Sequence, residues 1–313
     1  MSGAVLVTGA AGYIGGLTTR ELSRQGSVRV IATDIREVPA SERVEGVEYL
    51  QLDITDVGLA DVLREHEVGT VVHLAALVNP PPGDTRDLQH RVDVLGTRAV
   101  LEAAVQAGVG KLIYTSSGAA YGYSAENGPL LTEADALRAD RSFAYAWHKR
   151  QVEEDLARYR QEHPELKQLV FRVSTVLGPT VHNQITAMFE RPVVVGLSGV
   201  ATPFCIVSDE DVVRCLVNGV LREDVGVYNL TGDGVLTLRE IATLMGRRYL
   251  ALPERVLKTA LRHLSKHELV RYGPEQTQFL AHRPVLDNRR LKADLGYRPR
   301  TSREAFERYR ASR

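Results

Sequence analysis

Of the twelve tyrosines in the chain, Tyr145 alone has a lysine four residues later, Lys149. On a helix that spacing puts both side chains on one face, with Cβ atoms about 5–6 Å apart. The chemistry on offer is proton transfer at an alcohol or ketone oxygen. A phenol that exchanges a proton near neutrality must sit about 3 units below its free value near 10, a shift of about 4 kcal/mol. One ammonium about 4 Å away supplies about that much at the dielectric typical of a protein surface, before desolvation is subtracted. Lys149 alone is barely sufficient, so further positive charge must come from a bound group or from helix ends. Upstream, Ser116 and Ser117 close an apolar run. Ser117 can hydrogen-bond the reacting oxygen while Tyr145 moves its proton; Ser116, or simple turn capping, is the alternative.

A second constellation lies at the beginning of the chain. An apolar run at 4–7 leads into Thr8-Gly9-Ala10-Ala11-Gly12-Tyr13-Ile14-Gly15 and then an amphipathic stretch. Glycines without Cβ atoms let backbone N–H groups and the positive end of a helix meet a pyrophosphate directly. Asp34 follows about 20 residues on, at the end of the next apolar run, where an acid can accept hydrogen bonds from the adenosine ribose. Its charge repels a 2′-phosphate, so NAD is favoured over NADP. Arg36, two residues later, softens that repulsion and keeps NADP as the second choice.

These groups need a scaffold that gathers them. Apolar runs at 4–7, 28–32, 47–52, 70–74, 111–115 and 168–173 alternate with amphipathic stretches at 13–25, 57–66, 84–107 and 141–162. Such alternation predicts a doubly wound parallel sheet of the Rossmann type, α/β in class, with ligands gathered at the carboxyl ends of the strands. After Gly178 the rhythm breaks into short pieces divided by Pro and Gly. The expected division is a dinucleotide-binding domain at 1–175 and a smaller, interleaved substrate-binding region at 176–313, with a strand at 227–230 returning to the main sheet. Pro80-Pro81-Pro82-Gly83 reads as a stiff loop after the fourth strand.

Composition narrows the function. The 313 residues carry 39 basic and 39 acidic side chains, which gives no overall field to draw the protein to nucleic acid or anionic lipid. A small-molecule substrate is expected instead. The two cysteines, Cys205 and Cys215, lack metal or redox spacing and read as small buried apolar residues. The histidines, among them His66, His73, His90 and His148, never pair with a carboxylate in ligand spacing, so no metal is expected; His73 reads as core of the fourth strand. With no basic-then-apolar leader and no long apolar window, the chain is expected in the cytoplasm.

Taken together the residues resemble the extended short-chain dehydrogenase/reductases, in particular the NAD-dependent epimerase/dehydratase type that includes UDP-glucose 4-epimerase. The likeness spans nearly the whole chain: the glycine loop, Asp34, Asp53-Ile54, His73-Leu74-Ala75-Ala76, Gly96-Thr97, Ser116-Ser117 with Tyr121-Gly122, Tyr145 to Lys149, Arg172 with Gly178-Pro179, and Asp287 to Pro299. It implies that Ser117 polarises the substrate oxygen, that Tyr145 is the acid/base, and that Lys149 lowers the tyrosine pKa and holds the nicotinamide ribose. Gly9, Gly12, Tyr13, Ile14, Gly15, Asp34 and Ala75 fall at cofactor-binding positions, and Asp53 and Ile54 would contact adenine. The helices at 84–107 and 141–162 would pack into a four-helix homodimer interface. Three positions depart from the epimerase pattern. Asp93 and Thr175 stand where asparagines are usual, and the stretch 204–211 has Ser208 for histidine and lacks the arginine that grips a diphosphate. Arg283 is the candidate replacement, with Thr175 beside the substrate. The expected activity interconverts a secondary alcohol and a ketone, on a sugar or sugar nucleotide. A simple dehydrogenase or ketoreductase, and a non-catalytic NAD sensor, are the alternatives.

Overall fold

The computed structural model describes residues 3–56, 58–78, 86–266 and 273–313. The chain forms two compact units, one of Met1–Ser117, His148–Arg172 and Asp209–Tyr228, the other of Gly118–Trp147, Val173–Ser208 and Asn229–Arg313.

The first unit is built on β1 (Ala4–Thr8), β2 (Val30–Asp34), β3 (Glu48–Gln51), β4 (Val68–His73), β5 (Lys111–Ser117), β6 (Lys167–Val173) and β7 (Gly226–Leu230). They lie in the order β7-β6-β5-β4-β1-β2-β3. The pairs β1–β2, β2–β3, β1–β4 and β4–β5 run parallel. Strands β1, β2 and β4 are nearly continuous in buried residues, as a sheet covered on both faces requires, whereas the edge strand β3 has none that is fully buried. The doubly wound architecture read from the sequence is therefore present, and β7 takes its edge. From β1 the chain winds outward through β2 and β3, then returns to β4 on the other side. That reversal opens a crevice at the carboxyl ends of β1 and β4.

The helices are α1 (Tyr13–Gln25), α2 (Leu59–Glu65), α3 (Arg86–His90), α4 (Gly96–Gln106), α5 (Ala144–Glu162) and α6 (Asp209–Leu221). Two expectations need correction. The strand expected at 28–32 is Val30–Asp34, because the ladder with β3 continues through Asp34 opposite Gln51. The stretch expected as one helix at 84–107 is broken by a π turn at Arg91–Leu95 between α3 and α4. Residues 84 and 85 and the loop Pro80-Pro81-Pro82-Gly83 lie outside the described residues.

The second unit holds three small strand pairs: Thr175–Leu177 with Ile206–Ser208, Val193–Leu197 with Arg248–Leu252, and Pro203–Phe204 with Leu236–Thr237. Its core includes an aromatic cluster. The Phe189 ring meets Phe204 at 5.1 Å and Phe306 at 6.2 Å, edge to face, a geometry worth about 0.5–1.5 kcal/mol beyond area burial. Three helices start on reciprocal capping boxes, at Asn183, Thr237 and Thr301, so their first-turn N–H groups are satisfied locally. Both cysteines are free thiols in buried surroundings.

Candidate active site

The glycine loop is shaped by close approach. Gly9 has φ +71°, and a Cβ there would lie 2.6 Å from the Ala75 nitrogen. A Cβ on Gly15 would lie 2.1 Å from the Gly9 carbonyl oxygen. Both contacts are impossible for any other residue, so the turn from β1 into α1 is locked to glycine. Gly12 is the N-cap of α1 and brings no side chain to its first turn, which leaves that positive end for an anion. Asp34, only 9% exposed, is aimed across the loop: Oδ2 accepts the Ala11 N–H at 3.0 Å, and Oδ1 accepts the Arg36 N–H at 3.0 Å and Nε at 3.2 Å. The Arg36 side chain is 65% exposed, so solvent screens most of its attraction for Asp34. Tyr13 donates its hydroxyl to Asp209 Oδ2 at 2.6 Å, tying α1 to α6. These features fit a dinucleotide pyrophosphate and ribose.

Behind the loop, a chain of hydroxyls and one imidazole fixes the ends of β1 and β4. Thr97 Oγ1 donates to the Asp93 carbonyl at 2.7 Å, which uses its only hydrogen. His73 Nε2, 3.0 Å from Thr97 Oγ1, must therefore be the protonated nitrogen, and Nδ1 accepts from Thr8 Oγ1 at 2.7 Å. Thr8 Oγ1 in turn accepts the N–H groups of Leu74 and Ala75. Burial drives His73 down to about 3, so it stays a neutral core residue as expected. Ile54 is buried against Gly96, whose Cβ would come within 2.6 Å of Ile54 Cδ1. Asp53 Oδ1 accepts from the Thr55 N–H and hydroxyl, holding its own turn.

At the carboxyl end of β5 the pleat separates the two serines. Successive side chains point to opposite faces, and Ser116 is buried while Thr115 and Ser117 are half-buried. Ser116 donates to Glu153 Oε1 at 2.5 Å. The same carboxylate takes Arg172 through Nε at 2.9 Å and Nη2 at 2.7 Å, so Arg172 is a structural ion-pair partner and Ser116 is committed to that cluster. Lys149 is 4% exposed. Its ammonium donates to Tyr114 Oη at 2.8 Å and to the Thr115 carbonyl at 2.9 Å. Burial pulls Lys149 down to about 8, opposed by the carboxylates of Asp93 and Glu153. Two of these partners, Tyr114 and Glu153, had not been singled out in the sequence. Glu153 carried a signal, since it continues the row Tyr145, Lys149 on α5 at a spacing of four.

Tyr145 stands one helical turn before Lys149 on α5. In the second unit it packs with Tyr123 and Phe143 against Ala119, Ala139 and Ala146. Next to that cluster is a cavity of about 130 Å³ whose lining includes Tyr123, Ser124, Arg138, Asp140, Phe143 and Gln278. Elsewhere in this unit Arg283 donates through Nη2 to Thr175 Oγ1 at 3.2 Å and through Nε to the Pro203 carbonyl at 3.1 Å. Its guanidinium lies 3.8 Å from the Phe204 ring centre and 4.5 Å from that of Phe279. Nη1 is buried with no hydrogen-bond partner. Ser208 accepts from Arg300 Nη1 at 3.3 Å. Among the described residues no cluster of three or more His, Cys, Asp or Glu side chains could hold a metal ion, and no helix is long and apolar enough to cross a membrane.

A doubly wound sheet, a glycine turn locked by its own backbone, an acid after β2 and a helix bearing Tyr145 and Lys149 define an enzyme of the extended short-chain dehydrogenase/reductase class. The model of the NAD dependent epimerase/dehydratase family matches residues 5–215. The chain belongs to that family. Across 312 residues it is 27% identical to an uncharacterized protein of Mycobacterium tuberculosis, covering 97% of this chain and 82% of that one. Among solved structures, MoeE5 in complex with UDP-glucuronic acid and NAD superposes with a TM-score of 0.76 at 26% identity, over 99% of this chain and 98% of the other. The UDP-glucose 4-epimerase of Thermus thermophilus, in complex with NAD, gives 0.71 at 25% identity, over 97% and 99%.

Proposed function

We propose that the enzyme uses NAD to convert a secondary alcohol of a sugar or sugar nucleotide into a ketone, in the epimerase/dehydratase manner. The observation that carries this reading is Lys149, fixed at the carboxyl end of β5 by Tyr114 and Thr115 one helical turn from Tyr145. Bound against the glycine loop, NAD supplies the acceptor for the hydrogen that leaves carbon with its electron pair. Tyr145, as phenolate, takes the proton of the substrate hydroxyl at Oη. Lys149, charged below a pH of about 8, stabilises that phenolate. Ser117 donates a hydrogen bond to the reacting oxygen, a role Ser116 is prevented from taking by Glu153. Asp34 accepts from the ribose hydroxyls and opposes a 2′-phosphate, so NAD should bind about tenfold or more tighter than NADP. A calorimetric titration giving the reverse order overturns that assignment.

On the substrate side, Arg283 with its buried, unmatched Nη1 beside Thr175 supplies the donor for an anionic group. Two of the similar solved structures hold NAD, one of them together with UDP-glucuronic acid, which suits a substrate of this kind. The lining of the cavity near Tyr123, the hydroxyls of Tyr123 and Ser124, the Gln278 amide, the charged Arg138 and Asp140 and the Phe143 ring, suits a polar substrate such as a sugar. A second reading, a dehydrogenase on a smaller substrate, draws on the absence of arginine from the stretch 204–211. A homodimer packed through α4 and α5 belongs to the first reading, and sedimentation at micromolar concentration tests it.

Incubation with UDP-glucose and UDP-glucuronic acid, with products resolved by NMR and retained nucleotide extracted, separates the readings. Retained NAD with an altered sugar is the expected result. A protein that purifies without nucleotide and turns over free NADH with small ketones overturns the sugar-nucleotide assignment.

A further inference from the structure

Asp93 lies in the π turn between α3 and α4 and is 2% exposed. Its Oδ1 accepts the Leu77 N–H at 2.7 Å. Its Oδ2 is buried with no hydrogen-bond partner, and His148 Nδ1, 3.8 Å away, is buried and unpartnered too. An asparagine would serve this place better on hydrogen-bond grounds alone: its oxygen would still accept from Leu77, and its amide would offer donors to the idle imidazole nitrogen. A buried carboxylate oxygen left unbonded costs about 1–3 kcal/mol or more. A π turn interrupting a helix is itself characteristic of functional positions. What the carboxylate has and an amide lacks is charge.

That charge has a target. Asp93 and Lys149 bracket one buried cluster: the Asp93 carbonyl accepts from Thr97, which meets His73 at 3.0 Å, and the His73 ring stacks at 5.6 Å on Tyr114, whose Oη takes the Lys149 ammonium at 2.8 Å; Asp93 is also the foremost charge opposing the effect of burial on Lys149. The other ionisable groups around the pair are Tyr114 on β5, whose Oη meets the Lys149 ammonium, His73 on β4, His90 and Asp87 on α3, Arg98 on α4, and Glu153 on α5. His73 is neutral at any working pH, and burial lowers His90 as well. We propose that Asp93 is a positioning residue whose carboxylate is the counter-charge of Lys149, keeping the ammonium available to Tyr145 inside a buried site. The purpose of that charge rests on the function proposed above; its existence does not.

Titration of Lys149 in the full chain by carbon-13 NMR of its side chain, assigned with Lys149→Arg, tests this without any need for turnover. Asp93→Asn should move the Lys149 midpoint to lower pH by about one unit, a tenfold loss of proton affinity, while Asp93→Glu, which keeps the charge, should stay within about a third of a unit of wild type. In the unsubstituted chain the Asp93 carboxyl carbon should show an inflection at the Lys149 midpoint. A midpoint that Asp93→Asn leaves in place, a Glu variant that shifts as far as Asn, or an Asp93 carbon blind to Lys149 each overturns the proposal. If the midpoint moves but the alkaline limb of kcat/KM does not follow, the counter-charge stands and the role given to Lys149 in turnover falls.

Discussion

The two ends of β5 each hold a buried lysine, and only one of them belongs to the proposed site. At the amino end Lys111, 2% exposed, donates to the carbonyls of Gly219 and Arg222, both at 2.7 Å. At the carboxyl end Lys149 donates to Tyr114 Oη and the Thr115 carbonyl. Burial lowers both ammoniums. The acceptors of Lys111 are the unfinished carbonyls after α6, where the helix dipole is negative and a cation is welcome. Lys149 lies at the edge of the sheet where the glycine loop and Asp34 also lie, and the residue one turn before it on α5 is a tyrosine. A depressed lysine is therefore a poor marker of chemistry by itself; the end of the sheet and the neighbour one turn away decide.

The largest test of this contrast is loss of the phenol. Tyr145→Phe should lower kcat about a thousandfold, in the range of general acid/base contributions, with NAD affinity kept. Unchanged turnover would remove the carboxyl end of β5 from the mechanism altogether. Lys149→Met should lower kcat about a hundredfold or more, while at pH 7 its stability combines two opposed changes: the cost of burying the ammonium is removed, but Tyr114 Oη and the Thr115 carbonyl lose their donor and the Asp93 carboxylate loses its counter-charge. Lys111→Met should keep turnover near wild type and lower stability by about 1–3 kcal/mol as two helix-end carbonyls lose their donor. Chemical denaturation alongside steady-state rates reads both, and equal behaviour of the two variants would erase the distinction between the two ends.

Within the carboxyl end a smaller contrast separates neighbours. Ser117→Ala should lower kcat about tenfold to a hundredfold with little effect on stability. Ser116→Ala should do the reverse and cost about 1–3 kcal/mol, because Glu153 loses a donor in a cluster already holding Arg172. Exchange of these phenotypes would mean that β5 presents Ser116 to the substrate.

Which parts were legible in the sequence follows from the range of the forces involved. The glycine loop was readable because its contacts, Gly9 on Ala75 and Gly15 on Gly9, forbid any Cβ, and Tyr145 with Lys149 because one helix fixes their spacing. The choice between Ser116 and Ser117 was not, since it turns on strand parity, which moves with a single residue of register. The π turn left no mark because its apolar residues keep a helical rhythm. Arg283 was found only through family likeness: its partners Pro203 and Thr175 are 80 and 108 residues away, beyond any local pattern.

The smallest effect tells the lysines apart through stability alone. The ordinary lysine value of 10.5 holds in the unfolded chain, against about 8 for Lys149 in the fold. Between those values the unfolded state binds more protons than the folded one, so stability rises with pH; below about 8 both states are protonated and the full penalty of burying the ammonium is present. The stability of Lys149→Met relative to wild type should therefore be highest at pH 7 and fall by about 1 kcal/mol per unit as pH climbs from 8 towards 10. Lys111→Met should remain less stable than wild type throughout, because the carbonyls of Gly219 and Arg222 stay without a donor at every pH. Denaturant midpoints at four pH values decide the matter. A stability difference between Lys149→Met and wild type that does not change with pH would mean that the fold does not lower the proton affinity of Lys149, and the reading that Lys149 is held in a strained protonation state for the sake of Tyr145 would fall.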